Sequence, residues 1–433
     1  MKWRNAAVVL ALALCVTVVR SPRLGAQSSV DLSSVDFFGA QTLQRLDIDL
    51  HSADWAKLKQ EFQSNEYYPA DITWNGTKAY NAAIRSRGVA SRSGVKPALR
   101  LDFNHYSSLQ SFLGLKSLVL DNLVEDASGV HEPASMWFFA RLGIPAPREV
   151  HIMLYVNGEY SGVYAAVESV DKTMLARVLG NEINGDQNDG YLYEFNKVEE
   201  WWLSYLGPDL DAYKRFFSAK THETNTDETL YRPIENIVRI VNEKPAEELA
   251  QSLEPYLDLR AMTRYLAVQN FLGELDGFSG RWGVNNFYLY RLQHHDQHIV
   301  IAWDDDLTFL DPSYDLMSYQ DNNVLVRKLM AIPEYRGLYF ATLDEAAHSA
   351  DEGASDGEPG ALEREIRREL DLIDPAMLAD TLRPFTNAEY LDARDAMKVF
   401  PLRRIRYVEC EVARITGARP CGEAAEPLKR RGN

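Results

Sequence analysis

The sequence predicts an α+β fold, a sheet-rich first lobe followed by a mainly helical second lobe. Two patterns carry that reading. Up to about residue 171, short segments with apolar residues at alternate positions recur, as in LQRLDIDL (43–50) and EVHIMLYV (149–156), which is the period of a strand with one buried face. Beyond that point, longer segments with helical periodicity dominate. At 433 residues the chain exceeds one ordinary core and suits two lobes.

Residues 1–26 read as a secretory signal: basic Lys2 and Arg4, the apolar run AAVVLALALCVTVV, and small residues around Leu24-Gly25-Ala26. That run of 14 residues is short for a membrane span; uncleaved, it would serve as a short membrane anchor. The signal implies a secreted, periplasmic or cell-surface protein. Residues 27–44 form a polar linker, 45–171 the sheet-rich N-lobe, 172–425 the helical C-lobe and 426–433 a basic tail.

Within the N-lobe, further strands are expected at AYNAAIRSRG (79–88), LRLDF (99–103), SLVLDN (117–122) and SGVYAAVES (161–169), with Asn157-Gly158 as a hairpin turn. A helix at 131–142 stops at Gly143 and Pro145. In the C-lobe, helices are expected at 172–180, 209–218, 230–242, 246–255, 258–275, 360–382 and 388–416, interrupted by the strand-like NFYLYRL and IVIAW. The acidic, glycine-containing stretch 344–360 reads as a mobile surface loop.

Removing the signal takes the net charge from −17 to −21. Such an acidic chain is a poor partner for nucleic acid or anionic membranes and suits basic partners or bound cations. The cysteines then left are Cys410 and Cys421, and export favours a disulfide between them.

Asp304, Asp305 and Asp306 follow the apolar run IVIAW, 28 residues after Asp276 and 18 after Asn286. A solvated turn is the bland reading of such a triplet, but Trp303, Leu307 and Phe309 argue against full exposure. An unpaired buried cluster of like charges is costly without a cation. If the strand continued, Asp304 and Asp306 would share one face and Asp305 would point away. Hard oxygen ligands suit Mg²⁺, Mn²⁺ or Ca²⁺ better than zinc. The order of parts, a carboxylate after a helix, then a carboxamide, then acidic residues at a strand's end, is that of phosphoryl transfer as protein kinases perform it.

At these residues the chain resembles the CotH kinase family, secreted proteins of the spore-coat type with an atypical protein-kinase fold. The resemblance covers roughly 45–415. It rests on SRGVASRSGVKPALRLDF (86–103), RLGIPAPREVHIMLYVNGEYSGVYAAVESVD (141–171), NFLGELDGF with NNFYLY, and WDDDLTF. It implies an atypical protein-kinase-like, two-lobed fold that uses ATP with Mg²⁺ or Mn²⁺ and acts on a protein substrate. It also implies Asp276 as the catalytic Asp, Asn286 and Asp304 as metal ligands and Asp306 as a second acidic contact. Lys96 takes the place of a phosphate-contacting lysine, held by Glu132 on the following helix; Arg87 and Arg92 are the alternative source of charge for the phosphates. Glu168 sits at the hinge, where it would line a nucleotide pocket. Two departures stand out. Nine residues separate Asp276 from Asn286, more than in a compact catalytic loop, with Asn285 a competitor for the metal role; and the 86–94 loop lacks a full GxGxxG pattern.

The leading expectation is a secreted, metal-dependent protein kinase that phosphorylates a hydroxyl side chain. The same scaffold could support AMP transfer or glutamate ligation. A non-catalytic cell-surface or envelope binding protein is the reading from another class, and a two-carboxylate glycosidase leaves the asparagine unexplained.

Overall fold

The alternating segments of the first part close on themselves in the computed structural model, which describes residues 32–180, 188–355 and 357–417. β1 (Gln44–Leu50), β2 (Tyr68–Trp74), β3 (Thr77–Ser86), β4 (Leu99–Asp102), β5 (Ser117–Asp121), β6 (Glu149–Val156) and β7 (Glu159–Glu168) form a closed barrel in the order β1-β2-β3-β4-β5-β7-β6. Only the closing contact, β1 with β6, is parallel; the other barrel pairings are antiparallel. Leu46 and Ile48 of β1 are fully buried while Arg45 and Asp49 face solvent, the alternation the sequence showed. Asn157 and Gly158 both take positive φ, 52° and 80°, which a two-residue hairpin with matched twist requires.

Helices α1 (Ser34–Phe38), α2 (Ser52–Gln60) and α3 (His131–Arg141) accompany the barrel. After it come α4 (Lys172–Leu179), β8 (Tyr191–Phe195), α5 (Asp211–Lys214), β9 (Phe217–Ala219), α6 (Asp227–Glu243), α7 (Ala246–Leu253) and α8 (Leu259–Leu272). β10 (Phe287–Arg291) and β11 (His298–Ala302) follow, then α9 (Val324–Ala331), α10 (Pro333–Asp351), α11 (Ala361–Ala379) and α12 (Asn387–Thr416). The four later strands form a second sheet in the order β11-β10-β8-β9. Asp171 caps α4 by accepting from the N–H groups of Thr173 and Met174, so the change from strand to helix falls where the periodicity changes.

One apolar core runs through both parts. Phe138 of α3 stacks on Phe271 of α8 at 5.3 Å, and α11 packs on β6 and β7, which explains why β7 is buried along most of its length. The mixed α+β architecture is therefore as expected, while closure of the sheet into a barrel is new. β2 is the strand the sequence concealed, because Pro69 removes a donor and breaks its pattern; Pro69 nonetheless pairs with Ala83.

Two expected elements are corrected. The helix at 209–218 shrinks to α5, and Phe217 starts a strand paired with Phe195. Residues 344–351 belong to α10 rather than a loop: Ala346, Ala347 and Ala350 are fully buried, and alanine is both a strong helix former and small enough for close packing. The signal (1–26), the basic tail (426–433) and Cys421 lie outside the described residues; Cys410 is disulfide-bonded.

Candidate active site

β10 and β11 pair antiparallel with Phe287 opposite Ala302. The residue just before one strand and the residues just after the other therefore meet, although 18 positions separate Asn286 from Asp304. The Asn286 Nδ2 donates to the Asp304 backbone carbonyl at 2.9 Å, and both residues are left-handed, with φ of 55° and 58°. This turn, rather than continued strand alternation, sorts the acidic triplet. Asp304 and Asp306 line a cleft of about 640 Å³, whereas Asp305 is fully buried and accepts from the Gln269 Nε2 at 2.8 Å.

Asp276 reaches the same cleft from the segment after α8, which Gly273 ends with φ 75°. Its carboxylate is held at both oxygens: the Lys197 Nζ donates to Oδ1 at 2.6 Å and the Asn285 Nδ2 to Oδ2 at 2.8 Å. Beneath it, Glu274 accepts from the Asp276 backbone N–H at 2.6 Å. Asn285 and Asn286 both line the cleft, with separate duties.

The opposite wall comes from the barrel. Arg87 follows β3, lies over Trp303 with its guanidinium carbon 5.6 Å from the ring centroid, and shares the cleft with Asp304. Burial opposes its charge, but Asp304 and Asp121 overcome that and hold its pKa above the usual value. Arg92 also lines the cleft, but its guanidinium is occupied by the carbonyls of Gly88, Phe62 and Ser64 and by Asn65. It fixes the 86–94 loop in place.

Lys96 does not reach this cleft. Its ammonium is buried and donates to Asp380 at 2.8 Å, on the side of the barrel against the end of α11, so the expected pairing with Glu132 is replaced by one with Asp380. Glu132 instead lines a small pocket beside the cleft together with Asp121 and Asp306. Glu168 is engaged by two arginines, Arg148 at 2.7 Å and Arg177 at 2.6 Å; its neighbours Ser169 and Val170 line the cleft instead. Sequence reasoning missed Lys197, Arg100, Lys220 and Glu194 in the cleft, and Asp380 behind it. Arg100 stands within the 86–103 stretch with no role assigned to it there; the others stand in no quoted motif, and each arrives through a long-range contact.

The electrostatics of the cleft are those of crowded, buried carboxyls. Burial raises the Asp304 carboxyl to about 6, with Arg87 working against the shift and Asp121, Glu194 and Asp276 adding to it. Burial, and then Asp304, push Asp306 well above the carboxylate range; burial and Glu149 do the same to Glu132. One Asp305 carboxylate oxygen and one of Glu274 are buried without a partner. Repelling carboxylates at the floor of an open cleft, with a carboxamide between them, form a hard-oxygen donor set. Among the described residues no three His, Cys, Asp or Glu side chains form a metal cage of their own. Two carboxylates and an amide could hold a hard divalent cation only with further ligands from outside the protein.

The CotH kinase protein family profile matches residues 84–372, from the end of β3 into α11. Inner spore coat protein H of Bacillus subtilis (strain 168) is 25% identical over 308 residues, covering 69% of this chain and 80% of that protein. Among solved structures, the Shewanella oneidensis MR-1 HipA, HipB and operator DNA complex aligns at 13% identity with a TM-score of 0.32, over 68% of this chain and 59% of that one. The Helicobacter pylori proinflammatory kinase CtkA aligns at 10% identity with a TM-score of 0.25, over 80% of this chain and 95% of that one.

Proposed function

The chain belongs to the CotH kinase protein family, and from that premise we propose that it is a kinase-like enzyme transferring the terminal phosphate of ATP to a hydroxyl side chain of a protein, with Mg²⁺ or Mn²⁺. The observation that carries the reading is the meeting in one cleft of Asp276, Asn286, Asp304 and Asp306 with the guanidinium of Arg87.

Each residue has a task its surroundings support. Asp276, fixed by Lys197 and Asn285, accepts the proton of the acceptor hydroxyl as that oxygen attacks the terminal phosphorus and ADP departs. Arg87 meets phosphate charge from the barrel wall, with the bidentate geometry a lysine lacks. Asp304, Asp306 and Asn286 would hold the cation, whose chemistry is to neutralise and align the phosphate oxygens. The basic start and apolar run of residues 1–26 support a secretory signal and hence action outside the cytoplasm.

The test is intact-mass measurement of the purified chain with ATP and Mg²⁺ or Mn²⁺, alone and with a generic basic protein acceptor, beside Asp304→Ala. A gain of one phosphate per event that vanishes in the variant is expected. A gain equal to AMP or glutamate would assign a different transferred group, and no Asp304-dependent gain would sink the reading.

A further inference from the structure

The nine residues between Asp276 and Asn286 build a fixed platform beside the catalytic carboxylate. Gly280 and Gly283 pair in a short bridge, Arg281 donates its N–H to Leu275 at 2.6 Å, and Val284 donates to Trp201 at 2.9 Å. Phe278 is buried and packs edge-on against Phe287 at 5.0 Å. A Cβ on Gly283 would stand 2.7 Å from the Trp201 carbonyl, and its φ is +94°, so only glycine permits this close crossing.

At the tip, held out from that anchored base, is Trp282, 39% exposed. An indole normally covers apolar area, and exposed tryptophans on rigid loops are favoured at binding surfaces. The Lys197 Nζ stands 5.5 Å from the Trp282 ring centroid and 2.6 Å from the Asp276 carboxylate. The ring and the carboxylate are therefore no more than about 8 Å apart, roughly two residues of extended chain. Val198, next to Lys197, lines the cleft and is 53% exposed; Val89, from the barrel wall of the same cleft, is 93% exposed. An apolar rim thus lies at the mouth of a polar cleft, on a chain whose charge of −17 disfavours nucleic acid.

We propose that Trp282 and Val198 are the docking point for a polypeptide acceptor that carries an apolar side chain within about two residues of the hydroxyl presented to Asp276. The proposal rests on the phosphotransfer reading for the identity of the reacting group, while its binding component is tested without transfer. The chain from residue 27 onward, and its Trp282→Ala and Trp282→Phe variants, are immobilised and exposed to a synthetic library of Ser- and Thr-centred peptides with one flanking position varied. Retained peptides are counted by mass spectrometry in the absence of nucleotide.

Enrichment of Leu, Phe and Trp near the hydroxyl is expected, kept by Trp282→Phe and reduced about tenfold by Trp282→Ala. Stabilisation of the chain by ATP and Mg²⁺ should be unchanged in both variants. Equal retention by Trp282→Ala, or the absence of a flanking preference, overturns the proposal, as does a Trp282→Ala chain that loses its response to ATP. Selective retention without any phosphate transfer by the unaltered chain would support the docking surface while removing the phosphotransfer reading.

Discussion

Lys96 and Arg87 lie in one loop, and the side chains around them give them opposite tasks. Removing the Lys96 ammonium leaves the buried Asp380 carboxylate without its cation and with only the N–H groups of Val163 and Leu382, a loss of up to about 3–5 kcal/mol. Lys96→Met should therefore lower the thermal midpoint sharply. Arg87→Met should instead raise the KM for ATP at least tenfold and weaken stabilisation by nucleotide correspondingly, on the order of a lost charge-assisted contact. Asp276→Asn should cut transfer by about 10²–10⁴, the usual worth of a general base, with the response to ATP retained. Equal effects of the Lys96 and Arg87 changes on ATP would refute this division. At this scale, legibility followed sequence distance. Asp276, Asn286 and Asp304 stand close in sequence, and a helix end and one hairpin bring them to one cleft. The partner of Lys96 was not legible, because Asp380 lies 284 positions away and nothing local announces it. The sorting of Asp304 and Asp306 from Asp305 was foreseen from strand alternation, yet the strand ends at Ala302 and a left-handed turn does the sorting.

The element that positions Asp276 is α8, and its C-terminal end is secured by α12. Arg404 is fully buried, and its guanidinium donates to the carbonyls of Asn270, Phe271 and Tyr314 at 2.6, 2.9 and 2.6 Å. The last carbonyls of a helix have no partner within it and carry the negative end of its dipole, so a cation there satisfies both needs. The Asn270 carbonyl also accepts from the Gly273 N–H, so Arg404→Met would strand chiefly the carbonyls of Phe271 and Tyr314, each worth about 1–3 kcal/mol. The expected result is a lower thermal midpoint and faster amide exchange in residues 268–278 than in the barrel; exchange spread evenly over the chain would contradict a local role. Helix α8 and the strands β10 and β11 were legible from their residue patterns, though not the pairing of the two strands. The barrel was not, since closure depends on β1 choosing β6, a pairing that strand patterns do not encode, and on β2 despite Pro69. Helix α10 was hidden because its acidic residues and serine resemble loop composition, while its buried alanines become decisive only against neighbouring helices.

For the molecule as a whole, the dominant electrostatic fact is a group of buried carboxyls held above their usual range. Burial is the first cause at Glu132, Glu149, Glu274, Asp305 and Asp306, and neighbouring carboxylates add to it. An acid whose folded pKa is raised binds more protons in the native state than in the unfolded one, so stability is present at low pH and lost as pH rises through the folded pKa. His151 adds in the same direction: burial opposes its charge, but its hydrogen bond to Glu369 leaves its pKa raised. His298, lowered to about 3 by burial, acts oppositely, its contribution falling away as pH drops below about 6.5. As pH rises past 6.5 His298 becomes neutral in both states, and the raised acids together with His151 set the slope. The thermal midpoint without ligands should therefore fall between about pH 6.5 and 8. Glu132→Gln should flatten that fall by removing one of the crowded charges. ATP with Mg²⁺ should flatten it in the unaltered chain while leaving a smaller effect in Asp304→Ala, because the cation needs the ligands of that cleft to offset the carboxylates. A midpoint independent of pH, or one restored as well by Mg²⁺ in Asp304→Ala, would mean that the acidic floor is balanced within the protein and has no need of a cation.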